Sequence, residues 1–232
     1  MTTDHAVPPE DGSFLLRLIS KLAPTEDAVG EFVEKIRQEN PTLNREDLAK
    51  YIGDRIVRTY TSQGAALALP GAIPGPGTLA QIGIEVTATS ADLALLVRNQ
   101  SYLVFALGHC FGWHGREVLI QDTLICMGLW ANALSITKSG AIRLGTKVAE
   151  ANFKKHFPAK ILQAINRKVG TTILTKYGTK RGGLALGRLI PYGIGVGVAA
   201  TFNYFVMKRF KSRTIKYFDL KAGEPDGAAQ GG

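Results

Sequence analysis

Thr59 to Ile84, TYTSQGAALALPGAIPGPGTLAQIGI, is a run of 26 residues without a charge, broken by Pro70, Pro74 and Pro76 and carrying five glycines. Proline costs about 3 kcal/mol in a helix interior, so the run is not one straight helix. The pattern predicts a small-residue helix to about Leu69, then an apolar turn built from Pro70, Gly71, Pro74, Gly75 and Pro76. A new helix follows from Gly77 or Thr78 to about Leu107, ended by Gly108 and the cluster HCFGWHG. The fold class implied is all-α: a multi-helix bundle with Gly/Pro-rich apolar hairpin segments, associated with a membrane.

Upstream, residues 1–12 carry acids and prolines and read as a flexible lead, without the basic start and apolar core of a signal peptide. An amphipathic run begins at Ser13 and stops near Pro24. Thr25 then supplies an N-cap, with Glu26 and Asp27 in the acidic first turn of a helix to about Glu39. After Asn40-Pro41 a third periodic stretch places Leu48, Ile52, Ile56 and Tyr60 on one side. Arg45, Glu46, Lys50, Asp54 and Arg58 take the others. The front region 13–58 is thus acidic and amphipathic, and 59–137 is the apolar middle, whose last helix is expected over Val118–Lys138.

Downstream, the charge changes sign. Residues 138–219 hold 17 Lys and Arg against 2 acids, within a chain whose net charge is +9. Such a block seeks a polyanion, either nucleic acid or an anionic lipid surface. Here cationic amphipathic helices, broken at Pro158, lead to LIPYGIGVGVAATFNYFVM (Leu189 to Met207), 19 uncharged residues closed by Lys208, Arg209, Lys211, Arg213 and Lys216. At 1.5 Å per residue that run reaches about 29 Å, close to the thickness of a bilayer's hydrocarbon core. Residues 13–219 read as a single helical domain, and 220–232 as a flexible tail.

GAALALPGAIPGPG (Gly64–Gly77), SADLALLVRNQ (Ser90–Gln100) and GRLIPYGIGVGVAATFNYFV (Gly187–Val206) resemble, in order and spacing, the EcsC-like family, over about Arg55 to Phe218. The resemblance implies a membrane-associated helical protein; the family has no agreed biochemical activity. Where family members commonly keep a tyrosine before the glycine ending the Gln-bearing helix, this chain reads ALGHCFGWHG.

His109, Cys110, His114 and Cys126 are the clustered soft or imidazole donors, but paired CxxC spacing is missing. They read as buried thiols and turn histidines, with no metal and no cofactor implied. The glycine-rich stretches lack the lysine of a P-loop and the strand that precedes a dinucleotide fingerprint. Gly183 and Gly187, like Gly193 and Gly197, instead have GxxxG spacing and suit close helix packing. Asp92 and Gln100, eight residues apart, share a face of an apolar helix and read as buried polar groups satisfied within a bundle; any cationic partner of Asp92 is expected from another helix.

The cations flanking apolar runs fit lipid headgroups better than nucleic acid, which would call for a recognition motif that is missing. Lys154, Lys155, Lys160, Arg167, Lys168, Lys208, Arg209, Lys211 and Arg213 are the expected contacts with anionic lipid. Two cysteines make no disulfide framework and point to a reducing compartment. The expected role is a non-enzymatic accessory or scaffold protein, peripheral to or partly inserted in the cytoplasmic face of a membrane. Its partners would be anionic lipids and a membrane protein, with self-association left open. The competing reading is a hydrolase or transferase acting on lipid, using the Asp92 line or the His109 and His114 cluster; a nucleic-acid-binding module ranks third.

Overall fold

The computed structural model describes residues 12–66, 88–135, 159–186 and 194–223, and these form helices without strands. In chain order they are α1 (Gly12–Leu22), α2 (Glu26–Glu39), α3 (Arg45–Ala66), α4 (Ala88–Cys110), α5 (Arg116–Trp130), α6 (Ala159–Leu186) and α7 (Ile194–Ala222). The described residues therefore adopt the expected all-α class. The apolar turn at Pro70–Gly77, most of the first uncharged run and the glycine-rich start of the second lie outside the described residues.

The front helices follow their sequence signals. Asn40 and Pro41 end α2, and the Asn40 side chain donates back to the Ile36 carbonyl at 2.9 Å. Asn44 opens α3: its Oδ1 accepts the Asp47 amide at 2.9 Å, while its Nδ2 reaches the Asp47 carboxylate at 2.8 Å, a reciprocal cap. Leu48, Ile52, Ile56 and Tyr60 all face the core, as their spacing predicts. Thr25 stands extended before α2, at the expected N-cap position, yet its hydroxyl makes no capping bond.

Helix α4 is the centre, packing against all six other helices. Between Asp92 and Cys110 only Arg98 is exposed, and Tyr102 and His109 are half-buried. A helix apolar on every side belongs inside a core or a membrane, and here other helices enclose it. Each fully buried Leu, Val or Phe contributes about 1.5–3 kcal/mol relative to exposure, and Leu96, Val97, Leu103, Val104, Phe105 and Leu107 are all of this kind. Polar residues in this helix are partly satisfied by its own backbone: Asn99 Nδ2 donates to the Leu95 carbonyl at 2.8 Å and Ser101 Oγ to that of Val97 at 2.9 Å.

Three expected boundaries shift. Gly108 does not end α4; the helix passes through it to Cys110, and the turn after Phe111 ends it, with Gly112 at φ +83° and Gly115 at φ +97°. A Cβ on Gly108 would lie 2.5 Å from Leu119 Cδ2, so its glycine serves close approach of α4 to α5 instead. Helix α5 stops at Trp130, short of Lys138. Asn132 adopts φ 57°, and the amides of Ala133 and Leu134 turn back onto the Gly128 carbonyl at 2.9 and 3.1 Å. Finally, α7 runs to Ala222, past the expected domain end at Asp219.

Helix α7 is long, about 43 Å at 1.5 Å per residue, and it fastens the bundle along α3, α4 and α5. Gly53 leaves the space through which the Lys211 stem crosses α3, a Cβ there meeting Lys211 Cδ at 2.7 Å, and the ammonium ends 2.6 Å from Asp54 Oδ1. Replacing Gly108 with Leu should overfill the α4–α5 contact and lower stability by about 1–3 kcal/mol. The check is a drop in denaturant midpoint at unchanged slope; an unshifted midpoint would contradict this packing role.

Candidate functional site

The strongest polar constellation in the core was not singled out from the sequence. Asp122, 2% exposed in α5, is the one acid in an otherwise uncharged apolar helix segment. Its Oδ1 accepts the Tyr217 hydroxyl at 2.6 Å and Lys221 Nζ at 2.9 Å, and its Oδ2 accepts the same ammonium at 2.8 Å. Both partners come from the last turns of α7. The lysine's other side is aromatic, with Nζ 4.0 Å from the Trp113 ring centroid, 5.7 Å from that of Tyr217 and 5.8 Å from that of Phe218. Burial pushes the Asp122 carboxyl above the usual carboxylate range, while Lys221 and the Tyr217 hydroxyl oppose that rise.

This arrangement locks the middle of α5 to the end of α7 and to the α4–α5 turn. A buried pair of this kind adds little over an apolar replacement, yet losing one partner strands the other charge. The readable signal was Asp122 itself, a lone acid in an apolar helix; Lys221 gave none, because it stands beyond the expected domain end.

A second cluster joins α2 to the α4–α5 turn. Glu26 Oε1 accepts the Gly115 amide at 2.6 Å and lies 3.9 Å from His109 Nε2. The His109 and His114 rings meet edge to face with centroids 4.7 Å apart, and one ligand atom from each of Glu26, His109 and His114 falls within a 4.8 Å group. Arg116 steadies the neighbouring α1–α2 connection, donating to the carbonyls of Pro24 at 2.7 Å and Ser20 at 2.8 Å. Burial lowers the His109 pKa, His114 lowers it further, and Glu26 acts in the opposite sense. The two histidines were read from the sequence as turn residues and Glu26 as a helix-start acid; only the fold brings the three together.

The thiols are not members of this cluster. Cys110 and Cys126 are free and buried, burial pushing the Cys110 thiol up to about 12 and Cys126 up as well, where Asp122 adds to the effect. Neither suits a thiolate nucleophile at neutral pH.

Asp92 and Gln100 are both buried. Asp92 acts on Tyr60 of α3, whose hydroxyl is pushed well above its usual range by burial first and by the Asp92 charge second. Both polar atoms of the Gln100 amide lack hydrogen-bond partners among the described residues, so the expectation that the bundle satisfies it is not met there.

The expected lipid contacts divide. Arg167, Lys208 and Arg209 are exposed, and Lys208 lies 5.3 Å from the Tyr204 ring centroid. Lys168 is half-buried, 5.5 Å from the Trp130 ring centroid, and Arg213 is half-buried too. Lys211 is held by Asp54. Lys160 begins α6, Gly183 lies in α6 and Gly197 in the first turn of α7. Lys154, Lys155, Gly187, Gly193 and the Pro70, Gly71, Pro74, Gly75, Pro76 turn lie outside the described residues. Compared with known protein families, with curated proteins and with solved structures, the chain finds no match.

Two outcomes follow from the buried chemistry. Lys221→Met should cost about 3–5 kcal/mol by leaving Asp122 unpaired, and adding Asp122→Leu should restore much of that loss; additive losses in a denaturation series would contradict the pairing. In native protein at neutral pH neither cysteine should react with a thiol reagent on the timescale of a free thiol, whereas both should react after unfolding. A rapidly labelled native thiol would overturn the buried assignment.

Proposed function

We propose that the protein is a non-enzymatic accessory or scaffold protein, attached peripherally to the cytoplasmic, anionic face of a membrane. The observation that carries this reading is the outward face of α7. Phe205 is 62% exposed there, unusual for so large an apolar side chain, and Lys208 and Arg209 follow one turn later on the same side. Thr201, Ser212 and Lys216 continue the exposed stripe, and the neighbouring Tyr204 ring contacts both Phe205 and Lys208. An aromatic side chain that can enter the interface beside cations that hold headgroups is the pairing by which surface helices bind anionic bilayers.

Two further findings support peripheral contact over spanning. Among the described residues no helix is long and apolar enough to cross a membrane. The apolar faces of α4 and α5 are consumed by the protein core, so among the described residues α7 offers the exposed aromatic and cationic surface. The EcsC-like resemblance supports the same class, and membership of that family remains part of the proposal.

The test is co-sedimentation of the full chain with vesicles of phosphatidylcholine alone or mixed with phosphatidylserine. Binding should require the anionic lipid and weaken with salt. With about 1 kcal/mol per engaged cation, Lys208→Ala with Arg209→Ala should reduce affinity roughly thirtyfold, and Phe205→Ser should weaken what survives at high salt. Equal binding to both vesicle types, or none to either, would sink the reading.

A further inference from the structure

We propose that Glu26, His109 and His114 form a binding site for a divalent transition-metal ion, Zn(II) by preference, with a coordination position left for water. Two imidazoles and one carboxylate are a ligand set that zinc uses where a fourth position stays open. The donors come from separated parts of the chain, so their meeting is a product of the fold, which sets it apart from neighbouring residues that happen to crowd one another.

The geometry needs little change. Zinc–ligand distances near 2.0–2.1 Å put tetrahedral donors roughly 3.4 Å apart, whereas the donors here already fall within 4.8 Å of one another. His114 is exposed, so its side chain has room to adjust toward a bound ion. His109 Nε2 is buried without a hydrogen-bond partner among the described residues, although Glu26 Oε1 stands 3.9 Å away. A buried imidazole nitrogen left in this way is an acceptor or donor lacking its counterpart, and a metal ion between it and the carboxylate supplies one.

The surroundings also resemble the supporting shell of a metal site. The Gly115 amide holds Glu26 Oε1 at 2.6 Å, and that residue's φ of +97° places the amide where few residues other than glycine can. The His109 ring lies over Gly30 of α2, where a Cβ would come 3.5 Å from Cε1, so the ring is backed by helix backbone. Arg116 fixes the connection that leads into Glu26. Such outer contacts orient ligands and typically matter tenfold or more in affinity. Selectivity follows from donor type: two imidazoles favour Zn(II) and its neighbours over Mg(II) or Ca(II), which prefer oxygen donors. Neither cysteine belongs to the set.

The experiment uses the chelator-treated full chain, titrated with Zn(II) against a competing indicator at neutral pH, with Mg(II) as comparison. One equivalent of Zn(II) should bind and raise the thermal midpoint; Mg(II) should do neither at the same concentration. His114→Ala, at an exposed position, should lower Zn(II) affinity at least about tenfold while the metal-free chain still unfolds cooperatively, and Glu26→Gln should act in the same direction. His5→Ala and His156→Ala should retain the affinity of the unaltered chain. Co(II) in the site should show visible d–d bands without a thiolate charge-transfer band. Absence of stoichiometric Zn(II) binding, full affinity in His114→Ala, or a thiolate band would each overturn the proposal.

Discussion

Enclosure of α4 is the constraint on which the rest of the structure depends. A helix with apolar residues on all sides buries only one face against a single partner; burying the rest needs neighbours around its whole circumference. Helices α1, α2, α3, α5, α6 and α7 supply them, and each is amphipathic or apolar in the measure that its position allows. The small residues occur where these neighbours come closest, at Gly108 beside Leu119 and at Gly53 beneath Lys211. Many polar groups in the interior are satisfied by neighbouring backbone or by another helix. Threonines 123, 172 and 214 donate to carbonyls four residues earlier, and Asp122 takes its donors from α7.

The same constraint connects the core to the surface. Because α7 closes the bundle, its inner face carries Met207, Phe210, Thr214, Tyr217 and Phe218, all buried, and its outer face carries Phe205, Lys208, Arg209 and Lys216. One helix therefore both completes the fold and presents the surface proposed to meet lipid. Among the described cations of residues 138–219, Lys211 is committed to Asp54 and Lys168 to the Trp130 ring, whereas Arg167, Lys208, Arg209 and Lys216 are exposed. The Glu26–His109–His114 cluster lies at another place in the fold, where α2 meets the α4–α5 turn, so the proposed metal site and the proposed lipid surface use different residues.

Much of the fold was legible because helix periodicity and breakers are local signals. Asn40-Pro41 ended a helix where the sequence placed it, and Leu48, Ile52, Ile56 and Tyr60 turned inward together. Signals that depend on the partner were misread. Gly108 looks like a helix end in isolation, and only the nearness of Leu119 shows that it is a packing position. Asn132 is a weaker terminator than glycine, so α5 was drawn too long. Composition alone does not distinguish a core helix from a membrane-embedded one, since both are apolar all round. The candidate sites were the least legible: Glu26 and His114 are 88 positions apart in the chain, and Asp122 and Lys221 are 99 apart. No spacing rule joins residues across such distances.

With α4 held in a protein core and α7 proposed to meet lipid, hydrogen–deuterium exchange of the full chain, alone and with phosphatidylserine-containing vesicles, separates the two roles directly. Amides of α4 between Leu93 and Leu107 should be strongly protected without lipid and unchanged when vesicles are added, while those of α7 from Thr201 to Lys216 should gain protection only with the anionic vesicles. Rapid exchange in α4 until lipid is present would contradict that assignment, because the apolar helix would then be waiting for the bilayer instead of being enclosed by the chain.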